Sequence, residues 1–320
     1  MFLKASRPAR DHEEVLREAD LNWIMREAYL AHIVVPAFNI AYLPMVEPVV
    51  SAAKELDCFC LIEVARPDVE KFGAQSFSAV KQEYDRHAER AYIRLHQDHV
   101  PVIDEDGERV NWRDMIQDAL NLGFDSVMID GSRLTLKENI EVTRTVVEMA
   151  HEKGIPVEAE LGAVYGHERG PLPSYKELFR TGKGFTDPEE AGRFVKETGL
   201  DWLSVAIGNI HGAISGAAKD EKKISARLNI EHLRRLVSVT GVPIVLHGGS
   251  GITRESVLDA IGNGVAKINV GTAIRQEYER ALREKGSVGF AQLRVREKVK
   301  WLISRYYNIQ KCKETGVADK

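Results

Sequence analysis

Three histidines close or follow apolar runs of this sequence, where a side chain is placed to meet a ligand. His99 ends His96-Gln97-Asp98-His99, His211 lies in Gly208-Asn209-Ile210-His211-Gly212, and His247 opens His247-Gly248-Gly249-Ser250-Gly251. Three imidazoles that leave a fourth position open suit a catalytic zinc ion, with substrate or water in that position. One such histidine alone is more often a satisfied structural residue; the argument rests on the three together. His96, two residues before Asp98, shares its strand face and reads as a supporting or packing residue. Two glycine-bearing turns stand nearby in the pattern: Gly248-Gly249-Ser250-Gly251, ahead of a helical stretch near Arg254, and Asn269-Val270-Gly271-Thr272. Glycine lets backbone amides approach an anion, and a helix N-terminus adds partial positive charge. A single turn of this kind is as often only a tight turn. Two of them beside a candidate metal favour phosphate.

The elements that must position these residues are eight apolar runs: residues 33–39, 58–65, 91–98, 126–130, 156–161, 202–207, 242–248 and 265–271. Amphipathic stretches such as WRDMIQDALNLG and NIEHLRRLVSVTG separate them, and several end on glycine, a common helix stop. Eight strand-helix units without a composition break predict an α/β fold, a (β/α)8 TIM barrel, as a single domain over residues 1–310. A helical segment at 1–30 precedes the barrel, a helical extension at about 287–310 follows it, and 311–320 reads as a polar tail. In such a barrel the C-terminal ends of the strands share one mouth, so the three histidines and both turns converge. Two segments strain the pattern. PVIDEDGERVN carries an Asp-Gly turn, and the segment 162–185 is long, as functional loops often are.

Composition narrows the function classes. Lys and Arg number 44 against 48 Asp and Glu, a net charge of -4, so no overall basic field exists to hold nucleic acid or an anionic membrane. No apolar run approaches the roughly 18 residues of a membrane span, and the charged opening residues are unlike a signal peptide, giving a cytoplasmic expectation. Three cysteines, Cys58, Cys60 and Cys312, make a disulfide framework improbable; Cys58 and Cys60 read as core residues.

The segments VPAFN, LHQDH, SVMIDGS, VEAELG, GNIHG, LHGGSG and KINVGT, in this order from about Val35 to Arg280, resemble the class II fructose-bisphosphate aldolase family, which includes tagatose-bisphosphate aldolases. The resemblance implies a zinc-dependent lyase. It would cleave or form a ketose (bis)phosphate with dihydroxyacetone phosphate as one partner, through a zinc-stabilised enediolate. It implies His99, His211 and His247 as zinc ligands and Glu160 as a carboxylate that can hold an alternative metal position. Asp98 is implied as the acid/base at the cleaved bond, and Glu168 as the mobile glutamate that moves a proton on and off the triose-phosphate carbon. Gly212, Gly248, Ser250, Asn269 and Thr272 resemble contacts to the triose phosphate, and Asn39, Gly249, Val270 and Gly271 are counted with them. The family further implies a homodimer or homotetramer and makes a monovalent cation a second ion to consider. Zinc replaces the Schiff-base lysine of metal-free aldolases as electron sink; Lys267, inside the last run, is a poor Schiff-base rival.

The chain departs from the family in its treatment of the aldehyde half. Where the family has a phosphate-touching serine after the second run, this chain reads Val64-Ala65-Arg66-Pro67. Arg66 offers a cation for an acidic substrate, or a loop arginine in solvent. Ser215 stands where a lysine is common, His167 and Arg169 flank Glu168, and no Asp-Pro-Arg segment is found near the end, Arg294 and Arg296 being the substitutes. Alternatives are therefore an aldolase for a non-fructose ketose 1-phosphate, a non-catalytic sugar-phosphate-binding subunit, and a zinc hydrolase or epimerase on the same scaffold.

Overall fold

The computed structural model describes residues 12–162, 164, 175–210 and 226–309, with the backbone alone at His12, Tyr175 and Ser250. Eight strands form a closed parallel barrel in sequence order: β1 Val35–Asn39, β2 Cys60–Val64, β3 Ile93–Pro101, β4 Ser126–Asp130, β5 Val157–Leu161, β6 Trp202–Val205, β7 Ile244–Leu246 and β8 Val265–Val270. Pairing of β1 with β8, Val35 against Lys267 and Ala37 against Asn269, closes the ring. Parallel strands buried on both faces read as continuous apolar runs, which is why all eight were visible in the sequence. Helices alternate with strands around the outside. Left-handed glycines stop several of them: Gly123 (φ 78°), Gly199 (φ 70°) and Gly241 (φ 65°). The helix Thr272–Lys285 packs on a C-terminal helix, Val288–Trp301, which runs into a wider turn at Leu302–Tyr306.

Most strands are a few residues shorter than the runs that announced them, and one runs past its expected end. β3 continues three residues past Asp98, and its register against β4 shifts between Gln97 and Val100. A bulge of this kind is common at barrel rims, where it redirects a side chain. Beyond it the Asp-Gly segment forms a small antiparallel bridge, Ile103 with Arg109, and hydrogen bonds join Asp104 N to Glu108 O and Val110 N to Val102 O.

The inside of the barrel is divided by depth. Towards the N-terminal ends of the strands it is apolar: Val35, Ala37, Phe59, Leu61, Trp202 and Val245 pack with Leu16, Leu21, Ile24 and Met25 of the helices His12–Glu18 and Leu21–Leu30. These helices cover that end. Arg94, on β3 and fully buried, donates through Nη2 to the carbonyls of Leu16 (2.7 Å) and Arg17 (3.2 Å), two of the orphan acceptors at the end of the first helix. Burial lowers its pKa to about 10, with Arg90 adding to the fall and Asp125 opposing it.

Arg94→Met keeps the buried length but removes the donors. It is expected to lower unfolding free energy by about 2–4 kcal/mol in urea titration. A loss below about 0.5 kcal/mol would show that apolar contacts alone hold the helix.

Candidate metal centre and active site

Towards the mouth the interior turns polar. Because alternate residues of a strand share a face, His96 and Asp98 of β3, Glu158 and Glu160 of β5, and Lys267 and Asn269 of β8 point inward in pairs. Glu63 of β2 and Ser204 of β6 join them, and all of these are buried. His96 packs within the barrel: its Nδ1 lies 2.8 Å from Ser126 Oγ and its ring sits near Trp202.

His99 does not follow the alternation. In an unbroken strand it would point away from Asp98, but the bulge gives it φ 34°, in the left-handed region, and turns its ring to the same mouth. There its Nε2 lies 2.5 Å from Nδ1 of His247. The other nitrogen of each ring faces a carboxylate: His247 Nε2 is 2.7 Å from Glu158 Oε1, and His99 Nδ1 is 3.4 Å from Asp130 Oδ2. An ionised carboxylate only accepts, so each ring carries its proton on that side, and a neutral ring turns its lone pair to the shared point. Two imidazole nitrogens directed at one position, each ring held from behind by a carboxylate, is how metal-binding histidines are built. Burial disfavours a cation on His99, yet Asp98, Asp130 and Glu160 outweigh it and raise its pKa to about 10. A divalent cation would meet that same attractive field.

Among the described residues, three groups of side chains bring ligand atoms within 4.8 Å of one another: Asp98 with His99 and His247; His99 with Asp130 and Glu160; and Glu63 with His96 and Asp98. The third lies against the Lys267 ammonium, 3.2 Å from Glu63, whose charge opposes a cation there. The donor sets of the first two, nitrogen with carboxylate oxygen, fit zinc. Glu160 takes a hydrogen bond from Ser204 Oγ at 3.2 Å; burial and the neighbouring Asp130 push its pKa well above the usual carboxylate range.

Asp98 is clamped from both sides. Asn39 Nδ2 donates to one carboxylate oxygen at 2.8 Å and Asn269 Nδ2 to the other at 2.9 Å. Burial pushes the Asp98 carboxyl up, but His99, His247 and Lys267 together outweigh it and hold it below its usual value. Asn39 also reaches Asp68 at 3.4 Å. Burial lifts the Asp68 carboxyl to about 7, against the stabilising amide of Ala65.

Next to the histidines the chain after β7 makes a tight turn, Gly249–Gly251, entered through Gly248 in the left-handed region (φ 73°). A Cβ on Gly249 would lie 2.3 Å from Ile268 Cγ2 and 2.7 Å from the Asn269 carbonyl, so only glycine lets this turn rest on β8. Gly271 follows β8 and leads into the helix that Thr272 begins; a Cβ there would press on Asn39 at 3.1 Å. Val270 has its side chain in the outer core, so it can offer a ligand only its backbone. Arg66 is committed within the protein: Nε donates to Glu70 at 2.6 Å and Nη1 to Asp104 at 3.0 Å. Glu168, His211 and Gly212, with Ser215, His167 and Arg169, lie outside the described residues, as does the Ser250 side chain. Asp130, Glu158 and Asp68 were not singled out from the sequence. The first two stand inside quoted segments, and Glu158 carried a usable signal, the i, i+2 spacing that puts it on the face of Glu160.

The chain as a whole has known relatives. The family model described as fructose-bisphosphate aldolase class-II matches residues 19–315. The fructose-bisphosphate aldolase of Geobacillus stearothermophilus is 32% identical over 263 residues, 82% of this chain and 83% of its own. Protein YdjI of Escherichia coli strain K12 is 34% identical over 284 residues, 88% of this chain and 93% of its own. The crystal structure of the YdjI aldolase superposes with a TM-score of 0.70 at 30% identity, over 94% of this chain and 99% of that one. A barrel with this mouth, matched by a family model along nearly its whole length, is a member of the class II fructose-bisphosphate aldolase family.

Proposed function

We propose that the chain is a zinc-dependent aldolase that cleaves a ketose (bis)phosphate to dihydroxyacetone phosphate and an aldehyde. The observation that carries this reading is the approach of His99 Nε2 and His247 Nδ1 to one point beside the clamped Asp98. His99, His247 and His211 would hold the ion, with Glu160 within reach of an alternative position. When bound, zinc supplies Lewis-acid stabilisation of the negative charge that develops beside the breaking bond.

The protein's own groups do the rest. Asp98, kept ionised, takes the proton of the hydroxyl on the carbon that becomes the aldehyde, and its two amide clamps hold the accepting oxygens in place. Glu168 is assigned the return of a proton to the triose-phosphate carbon. The Gly248 to Ser250 turn, Gly212, Asn269 and the amides at Gly271 and Thr272 bind the triose phosphate at a helix N-terminus. Lys267 is not a Schiff-base rival. Burial would lower its pKa, but Glu158, Glu63 and Asp98 raise it, so it stays an ammonium instead of a nucleophilic amine. A single barrel domain, a homodimer or homotetramer and a cytoplasmic location accompany this reading.

One observation favours a ketose 1-phosphate over a bisphosphate. At the end of β2 the amide of Ala65 donates to Asp68 at 2.9 Å and the Arg66 guanidinium is taken by Glu70 and Asp104. Neither is left to greet a second phosphate.

A coupled assay for dihydroxyacetone phosphate across ketose 1-phosphates and 1,6-bisphosphates is expected to show release that a chelator stops and zinc restores. Failure of the zinc-replete protein to cleave any of them would remove the reading. Asp98→Ala should keep its zinc and lose on the order of a hundredfold to ten-thousandfold in turnover; unchanged turnover would take Asp98 out of its role. His211→Ala should bind zinc substoichiometrically in metal analysis, and a full complement of zinc would count against the third imidazole.

A further inference from the structure

Lys267 lies wholly inside the barrel and touches neither of the histidines nor Asp98 by a hydrogen bond that would explain its place. A buried ion pair is weak evidence for stability, because desolvating an ammonium costs several kcal/mol and an apolar substitute of similar size often does as well. Its contacts suggest a different use. Nζ donates to Glu158 Oε2 at 2.9 Å and to Asn269 Oδ1 at 2.7 Å. Glu158, through its other oxygen, holds His247 Nε2 at 2.7 Å; Asn269, through its amide nitrogen, holds Asp98 at 2.9 Å.

We infer that Lys267 is a positioning residue that sets, through two hydrogen-bonded arms, the orientation of the metal-binding His247 and of the catalytic Asp98. This rests on the metal-dependent reading above. Along the first arm, the ammonium fixes Glu158 with its free oxygen towards His247. That forces the ring proton onto Nε2 and leaves Nδ1 to face the metal position.

The second arm works by a choice between two ends of an amide. The oxygen and nitrogen of Asn269 are alike in shape, so only their partners decide which way the group is turned. An ammonium has donors alone and selects Oδ1; Nδ2 is thereby presented to the Asp98 carboxylate. With the amide reversed, a carbonyl would face that carboxylate and the clamp would become a repulsion. Glu63 faces the same ammonium at 3.2 Å, and neither of its oxygens hydrogen bonds to His247 or Asp98. It faces the ammonium and belongs to neither arm.

The test compares Lys267→Met, the double variant Lys267→Met with Glu158→Gln, and Glu63→Gln in the full-length protein. Zinc affinity is read by competition with a chelator, and turnover is read at saturating zinc. Lys267→Met is expected to weaken zinc binding about 10–100-fold and to lower turnover on the order of a hundredfold. KM for the sugar phosphate should rise less than turnover falls, since of the proposed phosphate contacts only Asn269 is disturbed. The double variant no longer leaves Glu158 a buried carboxylate without its ammonium and should unfold at a higher temperature than Lys267→Met, yet show both losses; it decides the matter if the single variant does not fold. Glu63→Gln should keep wild-type zinc affinity and turnover. The inference is overturned if a folded Lys267 variant retains either property, or if Glu63→Gln loses as much as Lys267→Met. A wild-type protein that fails to bind zinc would instead refute the metal-dependent reading.

Discussion

Charge without water is the condition under which the upper half of this barrel exists. Among the described residues, the strands enclose the Lys267 ammonium, several carboxylates and the imidazoles of His96 and His247 with almost no exposure, and that of His99 beside them, and in such surroundings each charge is tolerable only against an opposite one. Lys267 meets Glu158 and Glu63, His247 meets Glu158, His99 meets Asp130, and Asp98 is satisfied by two amides. Because these contacts share partners, no group in the set can swing away without stranding another. The outcome is a preorganised mouth, in which the atoms proposed to act are oriented before substrate arrives.

The rim divides its labour by charge. The side built from β1 to β5 carries carboxylates, Asp68, Asp98, Asp130 and Glu160, and the arginine that follows β2, Arg66, is neutralised by Glu70 and Asp104. The side built from β7 and β8 carries glycines, backbone amides and the start of a fourteen-residue helix. A cation is drawn to the first and an anion to the second. A substrate with a phosphate at one end and a polarisable carbonyl nearby suits that separation. The bulge in β3 makes the two sides meet, since without it His99 would be turned out of the mouth.

What the sequence disclosed, and what it hid, follows from the range of each signal. Strands buried on both faces announce themselves as apolar runs, and helix stops at Gly123, Gly199 and Gly241 are local chemistry, so the architecture was legible. Asp98, His99 and His247 were legible because they fall at run ends. The length of β3 was not, because a bulge just before Val100 breaks the alternation that defines a strand. Arg66 read as an available cation because its partner Asp104 lies 38 residues away. Glu158 and Lys267 are 109 residues apart. A charged residue inside an apolar run signals either an exposed face or a buried pair, and only the closed ring chooses between them.

The depth division within the barrel separates two demands that often conflict. Arg94 and the apolar plug of Leu16, Leu21, Ile24 and Met25 secure one end, while strained and charged groups occupy the other. Stability can therefore be raised or spent at the closed floor without disturbing the reacting atoms. A lineage exploring new aldehydes at the rim has, in that floor, an independent place to compensate for each destabilising change.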